Sequence, residues 1–417
     1  MAMHRSRPVS SLQRCATSQP PARNRSIASS SHASASRSSS SSPPTFPPHS
    51  RAFPQRDQPT GTPHLGNLLG ALFNWKRLLE QAPSTSFTAA KRHFFSIVGL
   101  HALTVPQDPD RLRQERSDML AALLAVGIDP SRCVLFHQES VPEHAELMWL
   151  LGSLTSVGRL KRMTTWKGKV AALNEGSSKD EGADLGEEAH LPFGLFAYPV
   201  LQAADILLYG ATHVPVGQDQ AQHLELAREL AQTWNRRFSP TRLDFSLRVP
   251  QTLFTPTMAR VLSLRDPTVK MSKSSPDAGG RILLDDGPKE VEKKVKRAVT
   301  DDERSMSFEV ERRPGVANLL GIIAALESLR AGSEVRPESV ADRLNTQHAS
   351  GEPGAKMLKD LAGATIVETL EPIRQQYERL RQDRGYLAEV ASRGRDEARE
   401  VASKTMLKVR AAMGIGE

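Results

Sequence analysis

Pro63-His64-Leu65-Gly66-Asn67 and Lys270-Met271-Ser272-Lys273-Ser274 are the two short runs on which the fold of this chain is read. The first is followed by Leu68, Leu69, Leu72, Phe73, Trp75, Leu78 and Leu79. That spacing predicts a helix over residues 66–81. A glycine-containing turn at a helix N-terminus brings backbone N–H groups close to phosphate. Two lysines on a loop neutralise charge on a departing phosphate group. Either run alone is ordinary. A basic-and-serine stretch is by default a solvated loop, and His-Leu-Gly-Asn a plain N-cap turn. Their order, and a separation about the size of one nucleotide-binding domain, make them informative together.

Between the runs, helical and strand patterns alternate. Residues 94–100, 134–137 and 213–216 read as strands; 111–126, ended by Gly127, 143–154 and 218–234 read as helices. Such alternation predicts an α/β fold, a parallel sheet with helices on both faces. Ligands then sit at the carboxyl ends of the strands, where His64, His101 and residues 217–220 fall. Residues 174–190 are polar, Gly-rich and acidic, a flexible insertion. From Pro288 onward only helical patterns remain, over 289–299, 316–330, 337–347, 355–384 and 386–413. The expected layout is a leader over 1–50, a catalytic domain over 51–287 and a separate all-α domain over 288–417.

Charge is uneven. The first 56 of the 417 residues contain eight arginines and no lysine or acid, which equals the chain's whole excess of 55 basic over 47 acidic residues. The remainder is formally neutral. A Ser-, Arg- and Pro-rich segment without acids has the composition of an organellar transit segment, and it cannot bury a core, so disorder is expected. The mitochondrial matrix is the first expectation; the serine run 29–42 keeps a plastid open. No stretch approaches the length of a transmembrane helix, so no membrane association is expected. Of the two cysteines, Cys15 lies in the leader and Cys133 in an apolar run, which allows neither a disulfide nor a Cys-based metal site in one mature chain.

Tyr198-Pro199-Val200-Leu201-Gln202-Ala203-Ala204-Asp205-Ile206-Leu207-Leu208-Tyr209 and Val214-Pro215-Val216-Gly217-Gln218-Asp219-Gln220 narrow the reading. With the two opening runs, which resemble the HIGH and KMSKS boxes, they are similar to class I aminoacyl-tRNA synthetases specific for tryptophan, of bacterial and organellar type. The stretches 106–109, 126–130 and 313–320 agree, and the resemblance runs from about residue 58 to the C-terminus. It implies a Rossmann-like doubly wound catalytic domain, a helical anticodon-binding domain and a homodimer. It implies ATP as substrate with Mg²⁺, L-tryptophan and tRNA(Trp) as partners, and formation of tryptophanyl-adenylate followed by transfer.

Residue roles follow from the same resemblance. His64 and Asn67 would meet phosphate oxygens, with Gly66 allowing close approach and Gln58 and Thr60 in the preceding turn. Lys270 and Lys273 would contact the β- and γ-phosphates, beside Met271, Ser272 and Ser274. Gly217, Gln218 and Asp219 fill ribose-binding positions, and Val261 an adenine-contacting one. Asp205 would accept the indole N–H, because a polar contact in an apolar pocket discriminates strongly. Tyr198 and Gln220 would hold the α-amino group, Gln202 would line the ring pocket, and His101 would border it. No metal ligands among the side chains are implied.

The chain also departs from the pattern. Phe53-Pro54-Gln55-Arg56-Asp57 stands where an apolar strand is usual, and Pro54 lacks a ladder donor. Gly99 replaces an aspartate, Gln218 a glutamate, and Ser275 an aspartate. Three competing readings remain: a tyrosine-specific synthetase, a non-catalytic RNA-binding descendant, and a small-metabolite nucleotidylyltransferase. The context of Asp205 argues against the first, retained Lys270 and Lys273 against the second, and the long helical C-terminal part against the third.

Overall fold

The computed structural model describes residues 61–81, 93–164, 166, 191–217, 220–238, 245–254, 260–273, 275–348 and 354–416. The expected leader, the segment 53–57 and the insertion 174–190 lie outside these residues.

The first element begins at α1 (Leu65–Asn67), passes through a π-helical turn (Leu68–Leu72) and continues as α2 (Phe73–Gln81). Its leucines, Phe73 and Trp75 are all buried, as their spacing requires. Strand β1 (Phe94–Ile97) leads into the one-turn α3 (Gly99–Ala102). Helix α4 (Pro109–Val126) starts under the Asp108 side chain and stops at Gly127, whose φ of 105° suits glycine. Strand β2 (Val134–His137) and a short turn precede α5 (Glu143–Gly152) and α6 (Val157–Lys161). Then come α7 (Phe193–Leu207), β3 (His213–Val216), α8 (Ala221–Phe238) and β4 (Gln251–Phe254). Five helices close the chain: α9 (Pro288–Lys296), α10 (Pro314–Ala331), α11 (Pro337–His348), α12 (Gly354–Gln382) and α13 (Arg384–Met413).

Strand β1 pairs parallel with β2, Phe94 opposite Val134 through Ile97 opposite His137. Strand β3 pairs parallel with β4, His213 opposite Gln251. Alternate residues enter opposite cores. Phe95, Ile97 and Leu135 join α1, α2, α4, α9, α10 and α12 on one side. Phe94, Val134 and Phe136 join α5, α7, α8 and β3 on the other. The described strands form two separate parallel pairs, and the β1–β2 pair carries helices on both faces, as a doubly wound fold requires. Helices after residue 287 bury their faces in these same cores. Strand β4 is not announced by the sequence, since Gln251 and Thr252 dilute its apolar signal. Helix α8 starts three residues later and ends four later than its pattern suggests.

Helix α13 serves both cores. Leu387 and Val390 belong to the first; Ala398, Ala402, Met406 and Val409 belong to the second. At the crossing lies Gly394, where a Cβ would sit 1.8 Å from the Leu135 carbonyl oxygen of β2. Gly394→Ala should therefore destabilise the protein by about 1–3 kcal/mol through overpacking. Gly363→Ala, in α12 with nothing within 4 Å of its Cβ position, should instead stabilise by roughly 0.5–1 kcal/mol. Urea denaturation of the two variants checks the contrast.

Candidate active site

The phosphate side is assembled from three distant segments. His64 caps α1: its Nδ1 accepts from the Asn67 backbone N–H at 3.2 Å, and Asn67 Oδ1 accepts from the His64 N–H at 3.2 Å. This reciprocal pair fixes both side chains. With Nδ1 accepting, the proton of a neutral ring sits on Nε2, and with Oδ1 accepting, the Asn67 amide turns its Nδ2 outward. Both residues are left holding donors. Gly66 is demanded by space, because a Cβ would lie 2.9 Å from the His64 ring and 3.6 Å from Val261.

The strand-like segment Ile282–Leu284 docks beside this cap. Leu65 N–H donates to the Ile282 carbonyl at 2.8 Å, and Leu284 N–H to Pro63 at 2.9 Å. The lysine loop is tied in by a narrow antiparallel pairing: Ser263 N–H donates to Val269 at 2.9 Å and Met271 N–H to Val261 at 3.0 Å. Buried Met271 and Val261 pin the loop to the core, and Lys273 Nζ donates to the Gly61 carbonyl at 2.6 Å. Asn318 of α10 clamps Leu262 through its N–H (2.9 Å) and carbonyl (3.1 Å). Sequence reasoning marked the stretch holding Asn318 without seeing this role. Burial, with Lys273, Lys270 and Arg281 nearby, depresses the His64 pKa to about 4.

The other side is carried by α7. Tyr198, Gln202 and Asp205, spaced four and three residues apart, share one face of the helix. Asp205 has no solvent exposure. His101 donates to Oδ2 at 3.0 Å; His144 (2.7 Å) and Gln138 (2.7 Å) donate to Oδ1. Burial by itself raises a carboxyl pKa, but the hydrogen bonds from His101 and His144 hold Asp205 well below the usual carboxylate range. His144 Nε2 accepts from the Tyr209 hydroxyl at 2.8 Å; burial, and then the Asp205 charge, push that hydroxyl's pKa up. Tyr198 donates to His223 at 3.1 Å, and His223 donates to Gln220 Oε1 at 2.9 Å. Gln202 Nε2 reaches the same oxygen at 3.4 Å.

So the structure brings Tyr198, Gln202 and Gln220 together, and His101 to Asp205. It groups His64 and Asn67 with Gly66, Val261, Met271, Lys270 and Lys273. Ser272 follows Met271 in the loop, and Gly217 follows β3, its carbonyl accepting from the Gln220 N–H at 3.1 Å. Gln58, Thr60, Gln218, Asp219 and Ser274 lie outside the described residues. His144, Gln138 and His223 escaped sequence reasoning; isolated polar residues in apolar runs carry no pattern of their own.

A profile of the family described as "tRNA synthetases class I (W and Y)" matches residues 56–371. The chain belongs to this family. A mitochondrial tryptophan–tRNA ligase of Schizosaccharomyces pombe is 41% identical over 368 residues, covering 88% of this chain and 96% of that protein. The solved tryptophanyl-tRNA synthetase of Mycoplasma pneumoniae matches at 33% identity with a TM-score of 0.72, covering 88% of this chain and 98% of that one. The Campylobacter jejuni enzyme, solved with ADP and tryptophan, matches at 28% identity and a TM-score of 0.62, covering 87% and 99%.

Because the His64 pKa is depressed in the folded synthetase, the unfolded chain binds the proton more readily. Its contribution to stability is full above the unfolded value of ~6.5 and declines as pH falls toward about 4. Urea midpoints measured across this window should fall less steeply in His64→Gln than in the parent protein.

Proposed function

We propose that this chain joins L-tryptophan to tRNA(Trp) by way of tryptophanyl-adenylate, in an organelle. The observation that carries this reading is the buried Asp205 cluster, on the same helical face as Tyr198 and Gln202 and in a class I synthetase framework. The amino-acid carboxylate needs no base: it is already ionised and attacks the α-phosphorus of ATP directly, so positioning and charge stabilisation do the catalysis. His64 Nε2–H and the Asn67 amide donate to phosphate oxygens, and Lys270 and Lys273 take up the charge that moves onto pyrophosphate. A hydroxyl of the tRNA's 3′-terminal ribose then attacks the acyl carbonyl of the adenylate, the C–O bond to phosphate breaks, and AMP leaves. The side chains gathered at His64 are the cations Lys270, Lys273 and Arg281, which suit phosphate rather than metal; Mg²⁺ belongs with the phosphate oxygens. Among the described residues no cluster of three or more His, Cys, Asp or Glu could hold an ion.

Asp205 supplies the indole acceptor, Tyr198 and Gln220 hold the ammonium, and Gln202 and His101 line the ring pocket. Gly217, Gln218 and Asp219 take the ribose, Val261 the adenine, and Gln58, Thr60, Met271, Ser272 and Ser274 complete the ATP site. Residues 51–287 are the catalytic part and 288–417 bind the anticodon, with basic side chains over 289–297 and 374–384 facing phosphates, apart from Lys294, Arg374 and Arg381, which pair with Asp286, Glu371 and Asp118. Residues 1–50 are an import leader for the mitochondrial matrix. A homodimer is supported by exposed apolar side chains on neighbouring elements: Leu103, Val105, Trp149, Val157 and Phe193. Helices α5 and α6 pack on α7, and Thr104 lies 3.9 Å from a Cβ position on Gly194. Such a patch marks an interface, and Trp149→Glu should convert the dimer to monomer in sedimentation velocity.

Lys273→Ala tests the chemistry. It should slow adenylate formation about a hundredfold, roughly 3 kcal/mol of transition-state stabilisation, while tryptophan affinity changes little. An unaltered single-turnover rate contradicts the assignment.

A further inference from the structure

Gly99 holds no left-handed backbone, and the volume its side chain would take is occupied by the flexible end of another residue. It is not among the glycines with positive φ, which are Gly61, Gly127, Gly210, Gly332 and Gly414 among the described residues. A Cβ at Gly99 would sit 2.3 Å from Oε2 and 2.7 Å from Cδ of Glu139. The Glu139 carboxylate thus fills the volume into which a side chain at 99 would project. Arg116 of α4 pairs with that carboxylate, and both side chains are largely covered. The family resemblance expects an aspartate at position 99. This chain carries none there, and an acid reaches the same volume from the turn after β2.

We propose that Glu139 is a positioning residue for the tryptophan side of the site, supplying from that turn the carboxylate otherwise expected at position 99. The inference rests on the reading of Asp205 as the tryptophan determinant. Two of the three donors to Asp205 flank the Gly99–Glu139 contact. Gln138 precedes Glu139, and His101 follows Gly99 by two residues. The two segments are already joined, since Leu100 N–H donates to Gln138 Oε1 at 3.2 Å. Arg116 and Glu139 add the tie to α4. Without the carboxylate, Gln138 and His101 lose the support that aims them at Asp205. A second carboxylate at 99 crowds the first, because like charges in one place cannot both stay ionised.

The test compares the parent enzyme with Gly99→Asp, Glu139→Ser and the double variant, by steady-state ATP–pyrophosphate exchange. Each single change should raise the KM for tryptophan about tenfold and leave the KM for ATP unaltered. The double variant, with one acid again facing Arg116, should return to within about twofold of the parent, as coupled residues do. A double variant as impaired as the product of the singles overturns the proposal, and so do singles that raise both KM values alike. Should Glu139→Ser not fold, Glu139→Gln keeps the shape and removes the charge, and an unchanged KM for tryptophan in it is equally fatal. Asp205→Ala separates the two levels. If it leaves the KM for tryptophan untouched, the Asp205 reading fails; if it raises that KM while the double variant is not rescued, only the role of Glu139 fails.

Discussion

A carboxylate with no solvent exposure is costly unless its oxygens are hydrogen-bonded, and Asp205 meets that demand with donors from three separate segments. His101 comes from α3, at the end of β1; Gln138 comes from the turn at the end of β2; His144 comes from α5. The acid itself sits on α7. One buried charge therefore fixes how the carboxyl ends of two strands meet two helices. Removing a donor would leave part of that charge unsatisfied in a low-dielectric interior, where the loss is greatest. Tyr209 extends the network through His144. A rigid, anionic floor at this end follows from satisfying Asp205, before any ligand is considered.

The opposite end of the site has the opposite sign. Burial, together with Lys273, Lys270 and Arg281, holds His64 neutral at physiological pH. A neutral ring with its proton on Nε2 is a donor without adding repulsion to the lysines. The field that suppresses protonation of His64 is the field that would stabilise pyrophosphate as it leaves. The lysine charge thus acts twice, adding to burial in lowering the histidine pKa and supporting the proposed catalytic role. Pinning Met271 and Val261 in the core, with Asn318 as a clamp, sets where that field is centred.

Much of this was legible in the residues. The periodic apolar positions of α1, α2 and α4, the four-residue strands at 134–137 and 213–216, and the five helices after Pro288 follow from local pattern, because burial on one face imposes a period. What pattern could not show was long-range. His144 and Gln138 lie 61 and 67 residues from Asp205 in sequence, and nothing near them distinguishes a network member from a satisfied core polar group. The π-helical turn Leu68–Leu72 escaped because its apolar spacing reads as an ordinary helix. The scarcity of space at Gly99 likewise depends on a side chain 40 residues away.

The most direct test of the account is discrimination between tryptophan and its benzothiophene counterpart, which lacks the ring N–H. In the parent enzyme an acceptor left without its donor should disfavour the analogue by about 1–3 kcal/mol, or roughly 5- to 150-fold in kcat/KM. In Asp205→Ala that preference should largely vanish, with the KM for ATP preserved. If the variant still prefers tryptophan as the parent does, or loses ATP and tryptophan affinity equally, Asp205 only holds the strand ends together and does not read the substrate.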